Sequence, residues 1–443
     1  MNMKKLLLTA AIACSLGIQA QSQMELTATE VARHMAPGWN LGNTMEGGNN
    51  ANNFTNKGGL GAETSWQDTK TTQTIIDYVK AQGFRSIRIP CAWVMGHLSN
   101  ATDYTIDAAW MNRVKEIVDY CINADLYVVI NQHWDGGWLE NNIDKTGDTK
   151  TKNLQILEAC WKQIAEAFKG YDERLLFAGL NEPNSEDTPK AQTITNLIDY
   201  EQKFIDVVRA TGGNNEKRIL IVQGPSTNID KTCTYMANKM PKDPTADRLM
   251  IEVHYYNPWQ FWGMEKDESW GKVFYYWGNG NHVSGSQHNA TWGEESEVEK
   301  QLESMKKNFQ DKGIPVYIGE FGANWRTITG ANESQEKHNA SIKSHYKCVV
   351  QKAMEKGMIP VIWDTNYRGK PSMTIINRKD LSIYNSYMME GIREALEATA
   401  IQTITTQAVS SDDSIYDLQG RKVETAQIPK GIYIQNGKKW ISR

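Results

Sequence analysis

Two glutamates, each following a short apolar segment, have the type and spacing that could do chemistry. Glu182 stands in Asn-Glu-Pro after the apolar run 175–180, and Glu320 stands in Gly-Glu-Phe-Gly after the run 316–319. Two facing carboxyl groups are what cleavage of a glycosidic bond requires. One is protonated and assists the departing oxygen, and the other is ionised and attacks the sugar or activates water. The neighbours of each group decide which role it takes.

Polar and aromatic side chains follow the other apolar segments in the same way. Arg88 near Glu320 would keep that carboxyl ionised, and Asn181 beside Glu182 suits a hydrogen bond to a sugar 2-hydroxyl. Tyr256 suits a contact that orients the attacking carboxylate. Hydroxyl contacts and ring stacking are expected from a further set, which comprises His133, His254, Trp363, Trp134 and Asn43.

These residues can meet only if the fold brings the ends of the segments together. Continuous apolar runs are typical of parallel strands that are buried on both faces. Eight runs, each followed by a helical pattern or a long loop, predict an α/β fold of the (β/α)8 TIM-barrel type, with catalytic residues at the C-terminal strand ends. An open doubly wound sheet is the alternative, weakened because no Gly-x-Gly-x-x-Gly follows the first strand. The predicted strands are 38–41, 86–89, 127–131, 175–180, 219–223, 249–253, 316–319 and 359–363. The predicted helices are 71–82, 108–123, 154–168, 196–209, 298–310, 336–355 and 378–398.

The composition excludes several classes of protein. With 40% hydrophobic and 23% charged residues, the 443-residue chain is neither mostly disordered nor a polytopic membrane protein. A formal charge of −4 argues against nucleic-acid and anionic-membrane partners. Scattered histidines and the absence of Cys-x-x-Cys and His-Glu-x-x-His motifs predict no metal site. We expect a monomer. The excess of Trp (15) and Tyr (18) over Phe (9) favours a groove that stacks sugar rings.

The segment 257–295 is an aromatic-rich insertion after the sixth predicted strand. It contains Trp259, Trp262, Trp270 and Trp292 among many Gly and Asn residues. Two interpretations remain open, a satellite hydrophobic core and a wall of the substrate cleft, and each can hold for different residues.

The two ends of the chain differ in character from the centre. Lys4 and Lys5 precede an apolar run at 6–18, and Ala20 ends a plausible cleavage site, so residues 1–20 are predicted to be a signal peptide. The mature protein would then be secreted or held at the cell surface, without a membrane span. Residues 21–400 form the predicted catalytic domain, 401–411 a linker and 412–443 a β-rich tail.

The predicted tail carries motifs of its own. The stretches YDLQGRKV, KGIYI and NGKK resemble the C-terminal sorting domain of substrates of type IX secretion. The alternative is a hairpin with no sorting role.

The central motifs carry a second resemblance. GWNLGNTME, ETSWQDT, GFRSIRIP, VVINQHWDGGWL, AGLNEPN, IEVHYYNPW, YIGEFGA and PVIWDTN resemble glycoside hydrolase family 5, in the order of that family, and most of all its endoglucanase-type members. The resemblance implies that Glu182 is the acid/base, that Glu320 is the nucleophile, and that hydrolysis proceeds with retention and without a cofactor. Other shared active-site positions match Arg88, His133, Asn181, His254, Tyr256 and Trp363. Trp134 stands where close relatives carry a second histidine.

The predicted function is that of a retaining endo-β-1,4-glucanase. Its polymeric substrate would be a β-glucan such as a cellulose-like, mixed-linkage or xyloglucan chain. An endo-β-mannanase on the same barrel is the enzymatic alternative. A polysaccharide-binding barrel without turnover and a nucleotide enzyme are more remote, because both carboxylates are present and no phosphate loop is.

Overall fold

A computed structural model describes residues 24–48 and 58–407, together with the backbone of 415–417, 422–423, 431–435 and 438–442. The predicted signal peptide 1–20 and parts of the predicted linker and tail lie outside the described residues. None of the helices in the described part is long and apolar enough to cross a membrane.

Eight parallel strands close into a barrel, as the apolar runs predict. The strands are β1 Gly38–Asn40, β2 Ser86–Ile89, β3 Tyr127–Asn131, β4 Leu175–Ala178, β5 Leu220–Gln223, β6 Leu249–Tyr255, β7 Val316–Phe321 and β8 Ile359–Ile362. Each strand pairs with its predecessor in the chain, and β1 pairs with β8 to close the ring. Because both faces of every strand are covered, nearly all strand residues are buried. The (β/α)8 prediction is confirmed, and the open-sheet alternative is wrong.

Helices surround the barrel. Their bounds are Ala28–Met35, Gln73–Ala81, Ala108–Asn123, Gly147–Ala167, Ala191–Ala210, Ile229–Met236, Trp259–Trp262, Glu295–Asn308, Gln335–Glu355 and Ser386–Gln407. Short 3-10 turns occur at Gly59–Thr64, Asp135–Gly137, Glu140–Asn142, Gly213–Glu216, Pro225–Thr227 and Gln310–Lys312. Two small hairpins are built from Leu98–Asn100 with Thr105–Ile106 and from Ile376–Asn377 with Ser382–Ile383. A separate antiparallel sheet contains Ile415–Asp417, Lys422–Val423, Gly431–Gln435 and Lys438–Ser442.

The last helix differs from its prediction at both ends. It begins at Ser386 rather than at 378, because the Arg378 guanidinium donates to the carbonyls of Gly42 and Asp364 in a buried loop. It continues to Gln407, so the first part of the predicted linker 401–411 is helical. The boundary between catalytic domain and tail stays a prediction.

The N-terminal end of the barrel is sealed by the helix Ala28–Met35. Its apolar residues, among them Val31 and Met35, pack on inward-facing strand residues such as Leu176 and Ile359. Thr27 caps this helix in a reciprocal capping box with Glu30. The opposite, C-terminal end of the barrel is therefore the end available for a ligand.

The two ends of the barrel's sequence meet beside this seal. A surface hollow of about 600 Å³ is lined both by Arg33 and Pro37 from the N-terminal segment and by Leu396 and Ala400 from the last helix. Arg33 and Ala400 thus lie at one face, away from the open end of the barrel.

Part of the aromatic insertion 257–295 is buried and part is exposed. Phe261 and Trp277 are fully buried in the same hydrophobic core as the barrel strands and their helices, so the interpretation as a satellite core is wrong for them, and Tyr276 is fully buried as well. Trp259 and Trp270 are exposed to solvent, at 45% and 65% of their surface. The segment thus combines a packed base with an aromatic surface.

Candidate active site

The carboxyl group of Glu320 lies inside the barrel mouth and accepts hydrogen bonds on both oxygens. Arg88 on β2 donates to Oε1 at 2.8 Å, and the Tyr256 hydroxyl donates to Oε2 at 3.0 Å. Burial outweighs the charges of His254 and Arg88 and raises the pKa of Glu320 above its ordinary value. A permanent cation and a second donor suit an ionised carboxylate that is held still.

Glu182 reaches the same place from the loop after β4. Its backbone N–H donates to Glu140 Oε1 at 2.8 Å, which fixes the loop, and its own Oε1 lies 2.6 Å from His254 Nδ1. Its side chain is 44% exposed, against 7% for Glu320. An oxygen of Glu182 and an oxygen of Glu320 lie within 4.8 Å of one another. That separation is close to the roughly 5–5.5 Å of retaining glycosidases and below the roughly 6.5–9.5 Å of inverting ones.

Arg88 is the centre of a buried hydrogen-bond network. Besides Glu320, its guanidinium donates to Asn40 Oδ1 at 3.1 Å and to Asn181 Oδ1 at 2.7 Å. It also forms an ion pair with Glu252 at 3.2 Å. Since Oδ1 of Asn181 accepts from Arg88, the amide orientation is fixed and its NH₂ group remains as the donor.

His254 contacts carboxylates with both ring nitrogens. Nδ1 faces Glu182, and Nε2 lies 3.2 Å from Glu252. Burial lowers the pKa of His254, but the carboxylates of Glu320, Glu182 and Glu252 outweigh it and raise the pKa to about 10. Against the expectation that this ring binds sugar hydroxyls, it is occupied within the protein. Glu182, His254 and Glu320 are close enough to hold a cation, but Nδ1 of His254 is already engaged by Glu182 and Nε2 by Glu252, so neither ring nitrogen is available as a metal ligand.

His133 and Trp363 lie next to each other beside the carboxyl pair. Their rings are nearly parallel, with centroids 5.9 Å apart. Burial and the charge of Arg88 hold the pKa of His133 well below its ordinary value, so the ring is neutral. Trp363 lines the same cavity as Glu182 and Glu320, where its face suits stacking with a sugar ring.

The cavity at the barrel mouth has a volume of about 400 Å³. Besides the carboxyl pair and Trp363, it is lined by Trp262 from the aromatic insertion and by the turn 226–228 after β5. In that turn Ser226 has a positive φ of 52°, and its backbone N–H donates to the carbonyl of Pro183. The turn thereby supports the loop that carries Glu182.

Two predicted site residues lie apart from this cavity. Trp134 is 36% exposed and borders a separate small hollow with Glu46. Asn43 has a positive φ of 57°, and its backbone N–H binds the Glu46 carboxylate. Among the described residues, neither is recorded in contact with the carboxyl pair, so any contact they make with a sugar would lie farther along the groove.

Two buried acids of the site are missing from the sequence prediction. Glu140 supports Glu182, and burial together with the charge of Glu182 raises its pKa to about 8. Glu252 binds Arg88 and His254. Strand alternation places Glu252, two residues before His254, on the same inward face, which is a signal that could have identified it. Glu140 lies in an irregular loop and gives no such signal.

Comparison with known proteins agrees with this geometry. The family model described as cellulase (glycosyl hydrolase family 5) matches residues 48–369. Endoglucanase A of Paenibacillus barcinonensis is 34% identical over 409 residues, which cover 88% of this chain and 95% of the relative. The xyloglucan-specific endo-beta-1,4-glucanase of Bacteroides ovatus is 36% identical over 356 residues, covering 78% and 66%.

A solved structure is similar over most of the chain. It is a family 5 xyloglucan-specific beta-1,4-glucanase from a ruminal metagenomic library, with 46% identity and a TM-score of 0.75, and the match covers 84% of this chain and 97% of that one. A family match over most of the chain, a closed (β/α)8 barrel and a carboxyl pair at its mouth all agree. The chain belongs to glycoside hydrolase family 5, the cellulase family.

Proposed function

We propose that this protein is a retaining endo-β-1,4-glucanase and that its main substrate is xyloglucan. The observation that carries the chemistry is the pair Glu182 and Glu320, with oxygens within 4.8 Å of one another at the barrel mouth. The substrate class is supported by two relatives that are named as xyloglucan-specific glucanases, one of which is 46% identical to this chain.

In the first step Glu320 attacks the anomeric carbon of the sugar bound over Trp363. Glu182 gives its proton to the departing glycosidic oxygen, so the polymer is cleaved and a glycosyl-enzyme ester forms. In the second step Glu182, now a carboxylate, takes a proton from a water molecule as the water oxygen attacks the anomeric carbon. The ester bond to Glu320 breaks, and the sugar leaves with its original anomeric configuration.

The contacts around Glu320 suit the role of nucleophile. Arg88 and Tyr256 hold the two oxygens in fixed directions, so little reorganisation is needed before attack. The Asn181 side chain accepts from Arg88 and also hydrogen-bonds the Glu140 carboxyl, so both ends of its amide are held within the protein beside Glu182.

The aromatic insertion suits a platform for the polymer. Trp262 lines the cavity and packs on Tyr256 with ring centroids 4.4 Å apart, and Trp259 packs edge-on against Trp262 at 4.8 Å. This row of aromatic rings begins at Tyr256, which contacts the nucleophile Glu320, and ends at Trp259, which is exposed at the surface. Sugar rings beyond the cleavage point would stack along it.

We infer export and sorting from the two ends of the chain. Residues 1–20 have the pattern of a signal peptide, and the C-terminal stretch resembles a type IX sorting domain. A chain truncated at Ile401 should keep its specific activity on glucan yet lose export or surface retention in a type IX-competent host. Loss of activity after truncation would make the tail part of the catalytic unit.

The test of the proposed function is a rate comparison on xyloglucan, carboxymethyl cellulose, lichenan and glucomannan. The highest kcat/KM should be on xyloglucan, and NMR of the first product should show the β-anomer. Faster cleavage of glucomannan than of any glucan would favour the mannanase alternative. Binding of xyloglucan without release of reducing ends would favour the non-catalytic barrel.

A further inference from the structure

A third carboxylate, Glu252, lies below the catalytic pair, and the two-glutamate mechanism does not use it. Its side chain is fully buried on β6, two residues before His254. We propose that Glu252 is a positioning residue that fixes the hydrogen bonds of His254, so that only ring nitrogen Nδ1 shares a proton with Glu182. The inference rests on the proposed role of Glu182 as acid/base.

Three donors converge on the Glu252 carboxylate. Arg88 Nη2 and His254 Nε2 each lie 3.2 Å from Oε1, and Gln223 Nε2 lies 2.5 Å from Oε2. The amide of Gln223 cannot turn round, because its own Oε1 accepts the backbone N–H of Leu180 at 2.7 Å. Burial raises the pKa of Glu252, but the charge of Arg88 and the bond from His254 lower it below the ordinary value. Glu252 is therefore an ionised group that only accepts hydrogen bonds.

The neighbouring strand leaves room for this carboxylate. Gly319, on β7 directly before Glu320, lies so close that a Cβ atom there would be 1.9 Å from Glu252 Oε1. Any side chain at this position would displace Glu252. Gly319 on the strand of the nucleophile thus leaves the space that the Glu252 carboxylate occupies.

This arrangement determines the behaviour of the His254 ring. Because Nε2 faces an ionised carboxylate, it carries a proton throughout. Nδ1 lies 2.6 Å from Glu182 Oε1, and one proton occupies that contact. When Glu182 is a carboxylate, Nδ1–H donates to it, and when Glu182 is an acid, its O–H donates to Nδ1. The ring can follow Glu182 through both catalytic steps without moving. The remaining charged or titratable groups near the ring are Glu320, whose Oε2 lies 3.8 Å from Nδ1, and Arg88, Tyr256 and His133.

The substitution Glu252→Gln should reverse this pattern. The new amide keeps its oxygen toward the NH₂ of Gln223, which makes the shortest of the three contacts, and its own NH₂ then faces Nε2 of His254 and Nη2 of Arg88. Nε2 then has to accept a hydrogen bond, and the ring proton moves to Nδ1. Nδ1–H holds Glu182 ionised, and Glu182 loses its function as an acid. The same change of tautomer explains the large loss of rate when the triad aspartate of a serine protease is replaced by asparagine.

The experiment compares kcat/KM on xyloglucan with kcat/KM on 2,4-dinitrophenyl β-cellobioside, whose leaving group needs little protonation. Glu252→Gln should lose about 10²-fold or more on xyloglucan, the size of a general-acid contribution, and far less on the aryl glycoside. A structural role alone would lower both rates by the same factor, and that result would overturn the proposal.

Glu201→Gln is the matched control. The Glu201 carboxyl is also fully buried and accepts the backbone N–H of Gln223 at 2.7 Å. Burial holds its pKa well above the ordinary value, so the group is already neutral and glutamine resembles it closely. We expect wild-type rates on both substrates from this variant.

Two further measurements separate the possible failures. Glu182→Ala should show the same dependence on leaving group as Glu252→Gln. If Glu182→Ala does not show it, the acid/base assignment falls, and if only Glu252→Gln does not, the inference about Glu252 falls. Imidazole ¹⁵N NMR is measured on the unmodified full chain, so this test does not depend on whether a variant folds. Nε2 of His254 should stay protonated over the whole pH range of activity. An unprotonated Nε2 would overturn the proposal.

Discussion

The two ends of the barrel are built from the same eight strands, yet they differ in almost every property. The N-terminal end is filled by apolar side chains under the helix Ala28–Met35. The C-terminal end holds Arg88, His254 and several carboxylates in a buried network. Buried charges cost free energy unless every partner is present, so the polar end contributes chemistry and the apolar end contributes stability. Substitutions at the two ends should therefore have opposite signatures.

The largest effect is expected from Glu320→Ala at the polar end. Without the nucleophile no glycosyl-enzyme can form, and turnover should fall by about 10⁴-fold or more on every substrate. The thermal midpoint should change little, because Arg88 keeps its ion pair with Glu252 and its hydrogen bonds to Asn40 and Asn181 after the Glu320 charge is gone. Initial rates and a melting curve of the same sample check both statements. A large loss of stability would show that the polar end also holds the barrel together.

Glu182→Ala should cause the next largest loss, and one that depends on the substrate. Xyloglucan cleavage needs the acid and should nearly stop, whereas the first step on a dinitrophenyl glycoside should proceed. Added azide should then release the trapped intermediate as a β-glycosyl azide, identified by NMR. An α-configured azide would contradict retention.

Met35→Ala tests whether the apolar end of the barrel contributes stability without affecting catalysis. The side chain is fully buried in the seal, so its loss leaves a cavity and should lower the free energy of unfolding by about 2–5 kcal/mol. The kcat on xyloglucan, measured well below the melting temperature, should stay at the wild-type value. Denaturant unfolding supplies the stability, and a changed kcat would mean that the two ends are coupled.

The smallest effect is expected from Trp259→Ala, which removes an exposed ring at the end of the aromatic row. Lost stacking of about 1 kcal/mol should weaken kcat/KM on xyloglucan roughly fivefold and leave a short aryl glycoside unaffected. Trp270→Ala is a useful control, because this exposed tryptophan makes no described ring contact with the row. Equal losses on polymer and aryl glycoside would remove Trp259 from the cleft.

The sequence predicts the barrel well because parallel strands buried on both faces are continuous apolar runs. The runs at 86–89 and 127–131 match β2 and β3 residue for residue. Short helices are harder: Ile229–Met236 was not predicted, because it has only two turns and an N-cap at Asn228 as its main signal. The sequence places Arg378 in a helix, because its buried contacts with distant loops produce no signal in the neighbouring residues.

The site residues also differ in how well the sequence predicts them. Glu182 and Glu320 are predictable because a polar residue at the end of an apolar run stands out. Glu252 is harder to identify, because it lies inside such a run, where only its place two residues before His254 marks it, and its partners Arg88 and Gln223 come from two other strands. Trp134 and Asn43 follow predicted strands like the catalytic residues, but the loops that carry them turn toward a different hollow. The direction of a loop depends on tertiary contacts, so a residue's position after a predicted strand does not show which hollow its side chain reaches.

The two ends of the described barrel region meet beside the apolar seal, and this has a consequence for attachment. Arg33 and Ala400 line one hollow at the face opposite the catalytic mouth. A tether joined to either end, whether an anchor, a carrier domain or a solid support, would hold the molecule by its base. The groove would then point away from the support, toward an insoluble polymer too large to diffuse underneath. Immobilisation through a residue at this face, such as Arg33, should for that reason preserve access to insoluble polysaccharide, whereas coupling through the aromatic insertion should block it.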